Sequence, residues 1–143
     1  MKKVEKTITI NAPAEKIYNY VGNPENLPEV WPSLVEITDV QSLPNGGNSN
    51  RWAYKMAGIR LEGTSEDTER TPNERIVSKT KGGIESTQTW VVQPEAGGTK
   101  VSFIVEYTVP IPVIGKIAEV IIVKMNDREA DTMLANLKLR MEG

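Results

Sequence analysis

The chain reads as an α+β domain: a strand and two short helices, a run of further strands, and one long C-terminal helix. Three observations predict this. Turn-forming phrases recur at short intervals, "GNPEN" at 22–26, "PNGGN" at 44–48, Ala57-Gly58, "TPNE" at 71–74, "KGG" at 81–83 and "PEAGG" at 94–98. Gly, Asn and Pro supply the backbone angles of tight turns, so these are hairpin and loop positions with segments of strand length between them. Residues 101–107 alternate, with Val101, Phe103, Val105 and Tyr107 on one face and Ser102, Ile104 and Glu106 on the other, the mark of a sheet that buries one side. Beyond Pro110 and Pro112, apolar residues recur at helical spacing almost to the last residue.

In chain order, 3–10 alternates as a strand with Ile8 and Ile10 together, and "NAPAEKIYNYV" predicts a helix with Pro13 in its first turn and Asn11 or Ala12 at the cap. Asn23-Pro24 predicts a second short helix over 24–28. Strands are expected at 34–41, 50–57, 59–69, 75–81, 84–93 and 99–109; Trp52, Tyr54 and Met56 share one face, as do Ser86, Gln88 and Trp90. Arg51, Arg60, Glu62, Glu66, Asp67 and Glu69 read as a solvated outer face, although "RLEGTSEDTE" has too few large apolar residues to fix its register. The prolines stop the last strand, placing helix onset near Val113. In the second half of this helix Ala130, Met133, Leu134, Leu137 and Met141 form one stripe. In the first half Ile114, Ile117, Ala118, Ile121 and Met125 form another on nearly the opposite side, with Val120, Ile122 and Val123 as surplus apolar surface.

Composition narrows the chemistry. The 143 residues suit one domain spanning 1–143. With no cysteine and no histidine, Ser-His-Asp and Cys-His nucleophile systems and the usual zinc sites are excluded, leaving Asp, Glu, Lys, Tyr and water for acid–base work. Seventeen basic residues against 19 acidic ones, with no basic run, argue against a nucleic-acid groove. The apolar stretch 107–125 is no membrane span, because Lys116, Glu119 and Lys124 interrupt it and each charge at the bilayer centre costs roughly 2.5–3.5 kcal/mol. The N-terminus has no apolar signal-peptide core, so a cytoplasmic location is expected.

The element order is that of the helix-grip fold. "INAPAEKIYNYVGNPENLPEVWPSL" at 10–34, "GGTKVSFIVEY" at 97–107 and "LANLKLRME" at 134–142 resemble the START-like (SRPBCC) superfamily, in particular its polyketide cyclase/dehydrase-like branch. The resemblance covers essentially the whole chain. It implies a seven-stranded antiparallel curved sheet wrapped around the long C-terminal helix, two short helices after the first strand, and a cavity between sheet and helix that takes apolar molecules. Members of the superfamily include lipid carriers, hormone and alkaloid binders, aromatic polyketide cyclases and chaperone-activating modules, so the fold constrains function only weakly.

The expected cavity wall comprises Trp52, Tyr54 and Met56 from one strand, Gln88 and Trp90 from another, and Phe103, Val105 and Tyr107 from the last. Trp31 in "EVWPSL" reads as a plug over one end of the sheet or a residue of the cavity mouth, and Ile114, Ile117, Ile121 and Met125 are expected to face the sheet or cavity from the helix. An unpaired buried amide costs roughly 1–3 kcal/mol, so Gln88 is an orienting group for a ligand if Trp90 points inward. No pair of acid–base groups stands at a fixed spacing, and no catalytic residue is assigned. Three functions follow: binding or carriage of an apolar or amphipathic small molecule; a metal-free cyclase, aromatase or dehydratase; and a protein-interaction module, for instance a homodimer formed through 113–123. No metal or cofactor is expected.

Overall fold

The computed structural model describes residues 2–108 and 115–143. Pro110, Pro112, the expected helix onset at Val113, and Ile114 lie outside the described residues. The elements are β1 (Lys2–Ile10), α1 (Ala14–Gly22), a 3-10 helix (Pro24–Glu29), β2 (Leu34–Ser42), β3 (Asn48–Met56), β4 (Ile59–Thr71), β5 (Arg75–Gly82), β6 (Glu85–Glu95), β7 (Gly98–Thr108) and α2 (Lys116–Glu142).

The seven strands form one antiparallel sheet in the order β1-β7-β6-β5-β4-β3-β2. Short turns join β2 to β7 in sequence, so each strand pairs with its chain neighbour, as hairpin connections dictate. The turn between β3 and β4 has Ala57 and Gly58 both at positive φ, 53° and 77°, between the paired residues Met56 and Ile59. That is the backbone twist a two-residue hairpin requires. β1 pairs with β7 while β2 occupies the far edge, so α1 and the 3-10 helix carry the chain from one edge of the sheet to the other.

Pro13 is the N-cap of α1, at φ −65° and ψ 145°, rather than part of its first turn, and no side chain caps this end. The extended ψ keeps Pro13 outside the helix while its carbonyl still accepts the Ile17 N–H at 3.3 Å. Ile17, Tyr18 and Val21 form the buried face. The second short helix is of the 3-10 type, capped by the Asn23 side chain, which accepts the Glu25 N–H at 3.2 Å.

Helix α2 has 27 residues, about 40 Å at 1.5 Å per residue. Its inward face is continuous: Ile122, Asn126, Ala130, Met133, Leu137 and Met141 succeed one another at three- and four-residue steps. This corrects the expected stripe of the first half. Ile122 is 3% exposed, whereas Ile117 is 83% and Ile121 46% exposed. The inward row passes through the polar Asn126, so hydrophobic periodicity alone follows the wrong side of the helix. Met125 is half-buried at the margin of the core.

Two apolar clusters result. One joins α1, the centre of the sheet and the C-terminal half of α2, with Ile10, Ile17, Phe103, Met133 and Leu137 almost wholly enclosed. Burial of each such side chain contributes roughly 1.5–3 kcal/mol. The other joins Val4, Leu34, Tyr54, Met56 and Ile122. Trp31 packs against both clusters, and the gap it roofs is the cavity described below. Among the described residues no helix is long and apolar enough to cross a membrane.

Candidate functional site

The cavity lies between the sheet, α2 and the 3-10 helix, with about 90 Å³ open to the centre of a water molecule. Its roof is apolar. Leu27 comes from the 3-10 helix, Trp31 from the segment after it, Leu34 from the start of β2, and Ala130 from α2. Trp31 stands edge-on to Tyr54 at a centroid distance of 6.1 Å and to Phe103 at 5.6 Å, so it both plugs the gap between the clusters and forms cavity wall.

The roof is fastened to α2 by hydrogen bonds. Glu129 accepts the Ser33 N–H and the Ser33 hydroxyl, each at 2.7 Å, and Asn136 donates to the Val30 carbonyl at 3.0 Å. The Tyr54 hydroxyl donates to Asn126 Oδ1 at 2.8 Å, crossing from sheet to helix inside the cavity. Burial, with Glu129 nearby, pushes the Tyr54 phenol far above its usual range, and burial likewise raises that of Tyr107. Both remain protonated at neutral pH. They can donate hydrogen bonds but cannot serve as bases.

The floor is different in character. Asn50 pairs with Ser65 across β3 and β4, Ser65 with Thr80, Thr80 with Ser86, and Ser86 with Tyr107. All five line the cavity, so one cross-strand row of uncharged polar side chains runs over five strands. Facing side chains in such a row lie on one surface of the sheet. Thr80 Oγ1 donates to the Ile84 carbonyl at 3.1 Å and lies 2.6 Å from Ser86 Oγ. Since Thr80 has one proton, Ser86 must donate to Thr80, which leaves the Ser86 oxygen free to accept. Beside the row, the Trp52 ring lies over Gly63, where an added Cβ would meet the Lys81 carbonyl and the ring itself. Asn50 Oδ1, Trp52 Nε1 and the Tyr107 hydroxyl are buried without a hydrogen-bond partner among the described residues.

A smaller recess, about 40 Å³ by the same measure, shares Asn50, Ser65 and Gln88 with the main cavity and extends toward α1. It contains Asp67 and Arg70, whose side chains are 13% and 10% exposed and form an ion pair at 3.1 Å. Asp67 also accepts from the Ser78 hydroxyl at 2.6 Å and the Asn48 N–H at 2.9 Å. Arg70 donates to the Gly22 carbonyl at 2.6 Å and lies over the Tyr18 ring at 5.5 Å. Asp67 therefore departs from its expected place on the outer face. Alternation along β4 turns it inward with Leu61 and Ser65, and the bulge between Asp67 and Glu69 then brings Arg70 to the same side. Arg60, Glu62 and Glu66 point outward.

Of the expected wall residues, Trp31, Trp52, Tyr54, Gln88, Phe103, Val105 and Tyr107 line the main cavity. Trp90 points inward, stacks against Phe103 at 4.7 Å and lines the smaller recess with Gln88. Met56 is buried in the second cluster and Met125 packs at its edge, neither on the cavity surface. Ile117 and Ile121 face outward, away from sheet and cavity, and Ile114 is outside the described residues. The reading by sequence missed Asn50, Ser65, Thr80 and Asn126. Asn50 was within reach, because it shares the strand face of Trp52 and Tyr54; Ser65 and Thr80 carry no signal until pairing sets them opposite one another.

Residues 1–142 match the family model described as polyketide cyclase / dehydrase and lipid transport. Among solved structures, TTHA0849 from Thermus thermophilus is similar at 23% identity and a TM-score of 0.76, covering 98% of this chain and 97% of that one. The Zhui aromatase/cyclase from Streptomyces sp. R1128 is 14% identical with a TM-score of 0.81, over 99% of this chain and 93% of the other. BexL, a di-domain aromatase/cyclase from the BE-7585A biosynthetic pathway, is 26% identical with a TM-score of 0.67, over 96% of this chain and 45% of that longer one. A search of curated proteins found no match. Seven antiparallel strands curved around a C-terminal helix are the helix-grip fold, and with the match over nearly its whole length the chain belongs to the polyketide cyclase / dehydrase and lipid transport family.

Proposed function

We propose that this protein binds or carries an amphipathic small molecule in the cavity between the sheet and α2. The observation that carries this reading is the composition of the wall: a largely apolar lining, with Leu27, Trp31 and Ala130 opposite Ile37, Phe103 and Val105, crossed on the sheet side by a row of uncharged polar side chains. A ligand that covers about 200 Å² of apolar surface there gains roughly 5 kcal/mol before the costs of association. The described lining residues include no carboxylate, lysine or arginine, so water or the ligand itself would have to accept any proton that a reaction releases. Binding is therefore the first reading.

The test is native mass spectrometry of the protein as purified and after delipidation, with titration of the delipidated form by fluorescent fatty-acid, flavonoid and sterol analogues. Saturable binding at one molecule per chain is expected. Failure of every probe, together with a purified protein of bare chain mass, would overturn the reading.

A metal-free cyclase, aromatase or dehydratase is the second reading, favoured by one feature: the Tyr54–Asn126 pair inside the cavity, with the phenol held protonated. A ketone oxygen that displaces Asn126 Oδ1 would take over the single hydrogen bond the Tyr54 hydroxyl can donate, as charge develops on that oxygen. Turnover of a poly-β-ketone model substrate, lost in Tyr54→Phe while binding persists, would establish this activity; binding without turnover leaves the carrier.

A further inference from the structure

The polar row on the cavity floor leaves several hydrogen-bonding atoms without a partner among the described residues. Three atoms along this surface, Asn50 Oδ1 and Trp52 Nε1 on β3 and the Tyr107 hydroxyl on β7, are buried without a partner among the described residues, and their residues are 8%, 8% and 3% exposed. Leaving a buried polar group unpaired costs about 1–3 kcal/mol, so three on one surface are a large penalty for a domain of this size unless something enters to pair with them. Their chemistry specifies the partner. Trp52 offers only a donor, Tyr107 offers a hydroxyl proton, and Ser86 and Asn50 offer acceptor oxygens.

Charge is excluded by the same surface. No charged side chain among the described residues lines the main cavity. In the adjoining recess the charges of Asp67 and Arg70 cancel, and the Arg70 guanidinium is already engaged by Asp67, the Gly22 carbonyl and, at 3.4 Å, the Tyr18 hydroxyl. A carboxylate moved into this cavity would lose its hydration without gaining a counter-ion.

Building on the binding function proposed above, we infer that the row from Asn50 to Tyr107, with Trp52 beside it, is a recognition rail for an uncharged ligand that carries carbonyl or hydroxyl oxygens along one edge, and that it discriminates against carboxylates. The apolar body of the ligand faces Leu27, Trp31 and Ala130. The oxygen-bearing edge lies along the sheet, with acceptors at Trp52 and Tyr107.

Three probes of equal shape separate these elements: 2-acetylnaphthalene, 2-naphthoate and 2-isopropylnaphthalene, each titrated at pH 7 by tryptophan fluorescence or calorimetry. The ketone is expected to bind at least about 10-fold more tightly than the carboxylate. Tyr107→Phe, which keeps the ring and removes the hydroxyl, is expected to weaken the ketone about 5-fold and the isopropyl compound less than about 2-fold, one hydrogen bond's worth of selectivity. If the isopropyl compound binds but the carboxylate matches the ketone, or Tyr107→Phe affects ketone and isopropyl probes alike, the rail is refuted while the cavity remains a binding site. If none of the three binds, the rail is refuted, and the binding function is decided separately by the mass spectrometry and the fatty-acid, flavonoid and sterol titrations above.

Discussion

Glu129 is the side chain that most directly keeps the cavity roofed. Its carboxylate is shared between the backbone and the hydroxyl of Ser33, just before β2, so one residue of α2 fixes where the roof segment meets the helix. Hydrogen bonds to a charged group are worth more than neutral ones, and truncation leaves the buried Ser33 polar groups unmatched. Glu129→Ala is expected to lower unfolding stability by about 2 kcal/mol in urea denaturation. Glu142 makes a comparable tie at the other end of α2, where it accepts the Asn11 N–H at 2.7 Å and the Lys138 ammonium at 2.6 Å. These bonds hold its pKa below the ordinary 4.5. The folded state thus favours the ionised form, and the stabilisation is complete above pH 4.5 and disappears as pH falls through the lowered value. Stability measured across the acid range should fall less steeply in Glu142→Gln than in the parent protein; identical slopes would show that the tie contributes nothing. Single residues of the site were unevenly legible. Trp52, Tyr54 and Tyr107 follow from strand alternation, and Gln88 follows from Trp90 pointing inward. Asp67 and Arg70 do not, because polar residues on both faces of β4 hide its register and the bulge between Asp67 and Glu69 shifts its phase.

Among the elements, α2 is the one whose sequence misleads. Its apolar residues exceed what one face can bury, and the face that turns inward contains Asn126, matched to the Tyr54 hydroxyl. Periodicity assigns a helix face by apolarity, but in one continuous helix the buried stripe of the second half fixes the rotation, and four-residue steps back from Ala130 reach Asn126 and Ile122. Substitution separates the two assignments. Ile122→Ala should cost about 2–5 kcal/mol, as expected for a large-to-small change in a core. Ile117→Ser and Ile121→Ser, on the exposed side, should each change stability by no more than about 0.5 kcal/mol. Thermal and denaturant unfolding of the three variants measures this, and the opposite ranking would mean the helix is rotated. The strands were far more legible. Their boundaries coincide with turn phrases whose backbone angles only a few residues tolerate, as at Ala57-Gly58, and alternation in β3 and β7 leaves one choice of buried face. The 3-10 character of Pro24–Glu29 was not visible, since Pro28 and the Asn23 cap suit either kind of helix start.

At the scale of the whole molecule, the sheet, α2 and the 3-10 helix enclose a space that none of them forms alone. Local patterns suffice to predict an α+β chain; the curvature and the cavity came only from the family resemblance, because closure depends on β1 pairing with β7 and on the roof segment reaching α2. The polar row is likewise a property of the assembled sheet. Asn50, Ser65, Thr80, Ser86 and Tyr107 are scattered through 58 residues of sequence and become neighbours only in the observed register. The arrangement joins a largely apolar lining to one uncharged hydrogen-bonding row on the sheet, which suits an amphipathic ligand. Its most direct test is a heteronuclear NMR titration of the delipidated protein with 2-acetylnaphthalene, followed at the indole N–H signals of its three tryptophans and at the backbone amides of α2. The account predicts that the Trp52 indole N–H and the Asn50 side-chain amide shift saturably while the Ile117 and Ile121 amides stay in place. Shifts confined to that exposed side of α2, with the Trp52 indole unmoved, would contradict it.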